Sequence, residues 1–271
     1  MMFSIIKSGM ATAMHELSVI SNNVSNANSN GFKKSLVSFS DFAGGLLPDA
    51  AKTTSAGLGS YVDETRISDA QGAILSTENI TDMALIGNGF FALQNPIDQT
   101  VSFTRNGSFG LDEDGFLTTP DNHYVLGVPA VEGAFVPILN DAEFLLPIRI
   151  PMEQDDLLMS ELNISENGNI SARYGDQEET PLTSLVLGVF SNPAGLKELG
   201  NSRFAATERS GLLSVGSPTD SGFAQLQTGG LEISNVNITD ELTSMIKAQQ
   251  QFNGSARLMQ ANSDMIEKLT R

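Results

Sequence analysis

The residues best equipped for chemistry in this chain are few and scattered. Asp112, Glu113 and Asp114 precede Gly115 and resemble the opening of a calcium loop. Such a loop ends on a bidentate glutamate at its twelfth position, and that position, counted from Asp112, is His123. A solvated hairpin turn accounts for the run better. The two histidines, His15 and His123, have no serine or carboxylate at a recognisable motif spacing. Glu153, Asp155 and Asp156 follow Pro151, and paired carboxylates can hydrolyse glycosides. With no tryptophan and only three tyrosines, aromatic sugar subsites are missing. Gly87-Asn88-Gly89 lacks the third glycine and the helix start of a nucleotide loop, so a turn or bulge is expected there. Zero cysteines exclude disulfides and thiolate chemistry. The chain is expected to carry no catalytic, cofactor or metal site and not to be an enzyme.

The elements around these residues divide the chain. From about Tyr61 the pattern is strand-like. Leu85-Ile86 and Phe90–Leu93 flank the Gly87-Asn88-Gly89 turn. Asn106-Gly107, Asp114-Gly115 and Asn167-Gly168 are hairpin turn signals between short apolar runs. Leu185–Phe190 reads as one buried strand. Residues 61–228 are therefore expected to form an all-β body, with a Gly/Ala/Ser/Thr-rich linker over 43–60. The terminal segments, 1–42 and 229–271, read as helical, giving an α+β chain with an all-β insert.

Both ends carry an apolar stripe that steps by three and four. At the start it is Phe3, Ile6, Met10, Ala13, Leu17, Ile20 and Val24. At the end it is Ile238, Leu242, Met245, Phe252, Ala256, Met259 and Ile266, interrupted by Gln249 and Ser263. A 3.5-residue repeat makes a narrow seam that another helix must cover. Asparagine and serine from Ser21 to Asn30 favour caps and turns and should end the first helix. Near Thr239 the last helix should begin, with Asp240 and Glu241 suiting its positive end.

Charge separates the same regions. Residues 1–40 hold Lys7, Lys33 and Lys34 against Glu16, and residues 233–271 balance four acidic with four basic groups. The net charge is −17, so residues 41–232 carry −19. An acidic middle argues against nucleic acid or an anionic membrane as partner. No apolar run is long enough to span a bilayer, and the start lacks the features of a cleaved signal peptide. Composition alone points to the cytosol.

The order of several short motifs then resembles one family. Ile20–Lys33, with Asn22, Asn23, Asn26, Gly31 and Phe32, is similar to the "NNxANxxTxGFK" signature of bacterial flagellar rod and hook proteins. Leu231, Glu232, Ser234, Asn235, Val236 and Asn237, followed by Glu241, Met245 and Ile246, resemble the partner signature "LExSNVNxxxExxxMIxxQ". Ala84–Phe91 and Phe103–Phe109 look like the family's "GxGFF" and "YTRxGxF" elements. Ser25 stands where alanine is common, a small departure. The resemblance implies a middle-sized subunit of the flagellar basal-body rod, proximal F-type or distal G-type, with the proximal form preferred. It implies terminal helices in an inner assembling layer, self-assembly for torque and motility, and export through the flagellar type III apparatus without a cleaved signal. The partners would be other copies, other rod and hook proteins and the export apparatus, at a rod spanning the periplasm. A hook subunit is the alternative. A calcium- or carbohydrate-binding β domain is the alternative from another class.

Overall fold

The computed structural model describes residues 2–41, 59–129, 145–154 and 157–270. Most of the expected linker, residues 43–58, and Asp155 and Asp156 lie outside them. Two compact units are present.

The first unit gathers the described parts of Met1–Ala27, Lys34–Ser68 and Val236–Arg271. Helix α1 spans Met2–Ser25 and helix α2 spans Ile238–Thr270. The first helix stops in the asparagine-rich stretch, where Asn26 N donates to the Asn22 carbonyl (3.1 Å) and Ala27 N to that of Val24 (3.2 Å). The last helix starts on Asn237, whose Oδ1 accepts from Thr239 N at 3.0 Å. That is an asparagine cap on an otherwise orphaned donor. The unit also contains a two-stranded antiparallel ribbon, Ser35–Asp41 with Ser60–Ile67. The sequence places Ser60–Ile67 at the start of the β body. The structure instead pairs it with the strand that follows α1, and His15 Nε2 of α1 lies 3.3 Å from Thr65 Oγ1 on that ribbon.

The second unit is Asn28–Lys33 with the described parts of Asp69–Asn235. Its strands are short and antiparallel throughout. Phe90–Gln94 is central, bonded to Val101–Thr104 on one side and to Tyr124–Pro129 and Leu187–Phe190 on the other. The apolar core gathers Met83, Leu85, Phe91, Leu93, Leu117, Val125, Ile148, Ile170 and Leu185, all almost fully buried. Phe91 meets Phe109 edge-on, with ring centroids 5.0 Å apart.

Turn chemistry settles two of the three expected hairpins. Gly115 and Gly168 both have positive φ, at 79° and 80°. They close Gly110–Leu111 against Leu117–Thr118 and Leu157–Ile164 against Asn169–Tyr174. Asn106-Gly107 closes no hairpin. Val101–Thr104 pairs with Phe90–Gln94 and Arg203–Ala205 instead. Asn106 Oδ1 accepts from Ser108 N (3.1 Å), and Gly107 O accepts from Met83 N (3.0 Å), which draws the turn onto another strand. The expected single strand Leu185–Phe190 breaks at Val186 into Thr180–Leu185 and Leu187–Phe190, which have different partners.

A Cβ at residue 107 would collide with the Met83 carbonyl, whereas one at residue 110 meets open space. Gly107→Ala is expected to cost more than about 2 kcal/mol in chemical denaturation. Gly110→Ala is expected to stay within about 1 kcal/mol of the wild type. Equal effects would contradict the close approach at Gly107.

Candidate assembly site

Helices α1 and α2 run antiparallel. Asn23 near the end of α1 meets Glu241 at the start of α2, and Gly9 faces Ser255. Both contacts are fourteen residues apart along their helices, so they keep one register. On α2 the covered line is Glu241, Met245, Ala248, Phe252, Ser255, Met259 and Asn262, with Glu241 and Ala248 buried and the others half-buried. This is a heptad line. It shares Met245, Phe252 and Met259 with the stripe read from sequence and otherwise lies one position to its side.

The seam residues consequently divide. Ala13 and Ile20 are buried, and Ile6, Met10, Leu17, Val24, Met245, Phe252, Ala256 and Met259 are half-buried. Phe3, Ile238, Leu242 and Ile266 are exposed. The displacement has a polar cause. Asn23 is buried, donates from Nδ2 to Glu241 Oε2 (3.1 Å) and the Ser35 carbonyl (3.0 Å), and accepts from Ser35 N at 2.9 Å. The inward position beside Leu242 is therefore held by Glu241. A buried polar group of this kind fixes register, because any slip leaves donors unmet in a dry site.

The second unit has its own polar node, built from both chain ends. Glu232 ends the strand Gly230–Glu232, which pairs with Ile74–Ser76. Its side chain is 1% exposed. Oε1 accepts from Lys33 Nζ at 2.6 Å and from Gly72 N at 2.8 Å, and Oε2 accepts from Arg105 Nη1 at 3.2 Å. Lys33 Nζ also donates to the Ala70 carbonyl (2.8 Å), and Arg105 Nη2 to that of Gly87 (2.7 Å). The Arg105 guanidinium lies 5.2 Å from the centre of the Phe90 ring, within cation–π range. Burial pushes the Lys33 ammonium below the ordinary lysine range and Arg105 adds to that push, while Glu232 opposes it. Burial likewise lowers Arg105. One carboxylate thus serves two desolvated cations.

The remaining signature residues shape the same places. Gly31 has φ 66°, donates its N–H to the Glu232 carbonyl at 2.7 Å, and leaves no room for a Cβ against the Asn106 backbone. Phe32, Leu231 and Ser234 are buried. Asn235 Nδ2 donates to the Ala70 carbonyl at 2.8 Å. Asn26 Nδ2 bonds back to the Asn22 carbonyl at 3.0 Å. Val236 is half-buried, and Asn237 caps α2. Lys33 and Arg105 are the residues missing from the candidate set. Their signal is slight: Lys33 follows Phe32 at the end of the first signature, and Arg105 stands between Thr104 and Asn106 inside another motif.

Of the scattered polar groups, Asp112–Asp114 form the tight turn closed by Gly115, whose N–H bonds to the Asp112 carbonyl at 2.9 Å. His123 is buried in the turn before Tyr124.

Each unit thus draws on segments from both sides of the sequence, and in chain order two terminal helices flank the β unit. Known proteins are similar to this chain in sequence. The family of the "Flagella basal body rod protein" matches residues 6–33, that of the "Flagellar hook protein FlgE/F/G D1 domain" residues 84–172, and that of the "Flagellar basal body rod FlgEFG protein C-terminal" residues 227–271. The flagellar basal-body rod protein FlgG of Borreliella burgdorferi is 31% identical over 96% of this chain and 93% of its own length. FlgG of Bacillus subtilis is 30% identical over 97% and 95%. The flagellar hook protein FlgE of Brucella abortus is 39% identical over 47% of this chain and 31% of its own. The chain belongs to the flagellar basal-body rod protein family and is a structural subunit of the flagellum.

Neutralising one member of a buried ion cluster leaves its partners charged and unpaired, at about 3–5 kcal/mol. Glu232→Gln is expected to lose that much in urea denaturation. Glu161→Gln, which breaks the exposed 3.0 Å pair with Arg173, is expected to lose less than about 1 kcal/mol. A Glu232→Gln loss no larger than that of Glu161→Gln would contradict a node that holds the ends.

Proposed function

We propose that this chain is a distal, G-type subunit of the basal-body rod, which self-assembles axially and transmits torque through packed helices. Its partners are other copies of itself and other rod and hook proteins. It reaches the rod through the flagellar export apparatus without a cleaved signal, and it acts without catalysis. The G-type assignment replaces the proximal form preferred from the resemblance, because relatives named FlgG align over nearly their whole length. The match to a hook protein reaches only 31% of that protein, which weighs against a hook subunit.

One observation carries the reading. After α1 covers one face of α2, the first half of α2 still presents Ile238, Leu242 and Ile246, which are 44%, 46% and 55% exposed. They recur every fourth residue and so form one continuous stripe. In the assembled rod this stripe is covered by another subunit. The half-buried seam closes the chain's own helix pair, and the terminal unit, 1–42 with 229–271, is the polymerising part. The acidic β body carries like charge that keeps free monomers apart.

Leu242→Asp is expected to abolish incorporation into rods in a motility and co-sedimentation assay while leaving the circular dichroism of the monomer unchanged. Ala13→Asp, buried against its own chain, is expected to melt the helix pair itself. Normal incorporation of Leu242→Asp would sink the stripe as the contact.

A further inference from the structure

The turn Thr119–His123 holds a cluster that the rod assignment does not use. His123 is 8% exposed. Its Nε2 lies 2.6 Å from Arg203 Nη1, and its Nδ1 lies 2.9 Å from the Asp121 carbonyl. A guanidinium only donates and a carbonyl only accepts. The two contacts together therefore specify one state of the ring: neutral, with its proton on Nδ1 and the lone pair of Nε2 turned to Arg203.

The charged groups around the ring come from three segments. Asp121 sits on the same turn, with Oδ2 3.4 Å from His123 Nδ1 and 2.9 Å from Arg203 Nε. Arg203 comes from the strand Arg203–Ala205. Asp98 comes from the exposed turn before Val101, and hydrogen bonds to its Oδ1 from the Thr100 hydroxyl (2.8 Å) and the Thr100 N–H (3.2 Å) hold its carboxyl below the ordinary range. Burial pushes the Asp121 carboxyl up, but the Thr119 hydroxyl, Arg203 and His123 outweigh it, so this group too sits low. On mild acidification both carboxylates stay ionised.

We propose that His123 is a proton-sensitive latch between the turn Thr119–His123 and the strand Arg203–Ala205. Protonation at Nε2 removes the only acceptor that the ring offers Arg203 and sets two cations face to face. The latch opens when the ring takes a proton and closes again when the ring loses it. The loosened segment is the start of the strand. Arg203–Ala205 pairs with the end of Val101–Thr104 through Arg203 and Phe204, its other side pairs with Lys197–Gly200, Phe204 is buried, and Asn201 and Ser202 before it hold positive φ. The core strands Phe90–Gln94 and Tyr124–Pro129 are bonded to each other and stay closed.

Long-range proton–nitrogen NMR of the full chain tests the ring directly. At about pH 8 the ring is expected to be neutral with Nδ1 protonated, and an Nε2-protonated ring there would overturn the latch. Hydrogen exchange, corrected for intrinsic rates, tests the consequence. Between about pH 8 and pH 5, protection at Asn122 and Arg203 is expected to fall about tenfold while Leu126 keeps its own. His123→Gln, which can donate and accept without titrating, is expected to show no such fall. An equal fall in that variant, or none in the wild type, would overturn the proposal.

Discussion

The Glu232 carboxylate is the point on which the closure of the β unit depends, where the chain enters it and where it leaves. It arrives from the strand that precedes α2, and Lys33 arrives from the segment that follows α1. The two are 199 residues apart in sequence and 2.6 Å apart in space. Closing so long a loop is entropically costly, and apolar contacts alone would hold it in several registers. A charge pair in a dry site has one good geometry, and every alternative leaves a bare ion. Arg105 and the N–H of Gly72 complete the coordination, so both carboxylate oxygens are used.

The helical unit repeats the device with weaker charge. Asn23 stands opposite Glu241 where apolar side chains would slide, and its amide also satisfies both backbone groups of Ser35. Helix, helix and ribbon are thereby fixed by one side chain. Such groups contribute less to stability than apolar ones of the same volume and more to uniqueness. A slip of the helix pair would move Ile238, Leu242 and Ile246 along α1.

How much was legible in the sequence follows the range of the interactions. The end of α1, the start of α2 near Thr239 and the turns at Gly115 and Gly168 depend on neighbours within a few residues, and all read directly. Asn106-Gly107 carries the same turn chemistry, yet Met83 and Ser108 claim its hydrogen bonds. The strand breaks at Val186, inside an unbroken apolar run, for a similar reason, since the strands on either side of it join different partners. The helical seam was displaced by one position because counting apolar residues turns Glu241 outward, and only Asn23 explains why it faces in. Lys33 and Arg105 were invisible as site residues because a cation is ordinarily solvated. Their role exists only once Glu232 is placed between them.

A double-mutant cycle on Lys33 and Glu232 measures the central interaction with the least ambiguity. Lys33→Met, Glu232→Gln and the double variant would be compared in urea denaturation at neutral pH. If the buried pair pins the chain ends, the two losses are strongly non-additive, with a coupling of about 1.5–3 kcal/mol. Additivity within about 0.5 kcal/mol would mean that the two side chains act independently and that the ends are held by apolar packing instead.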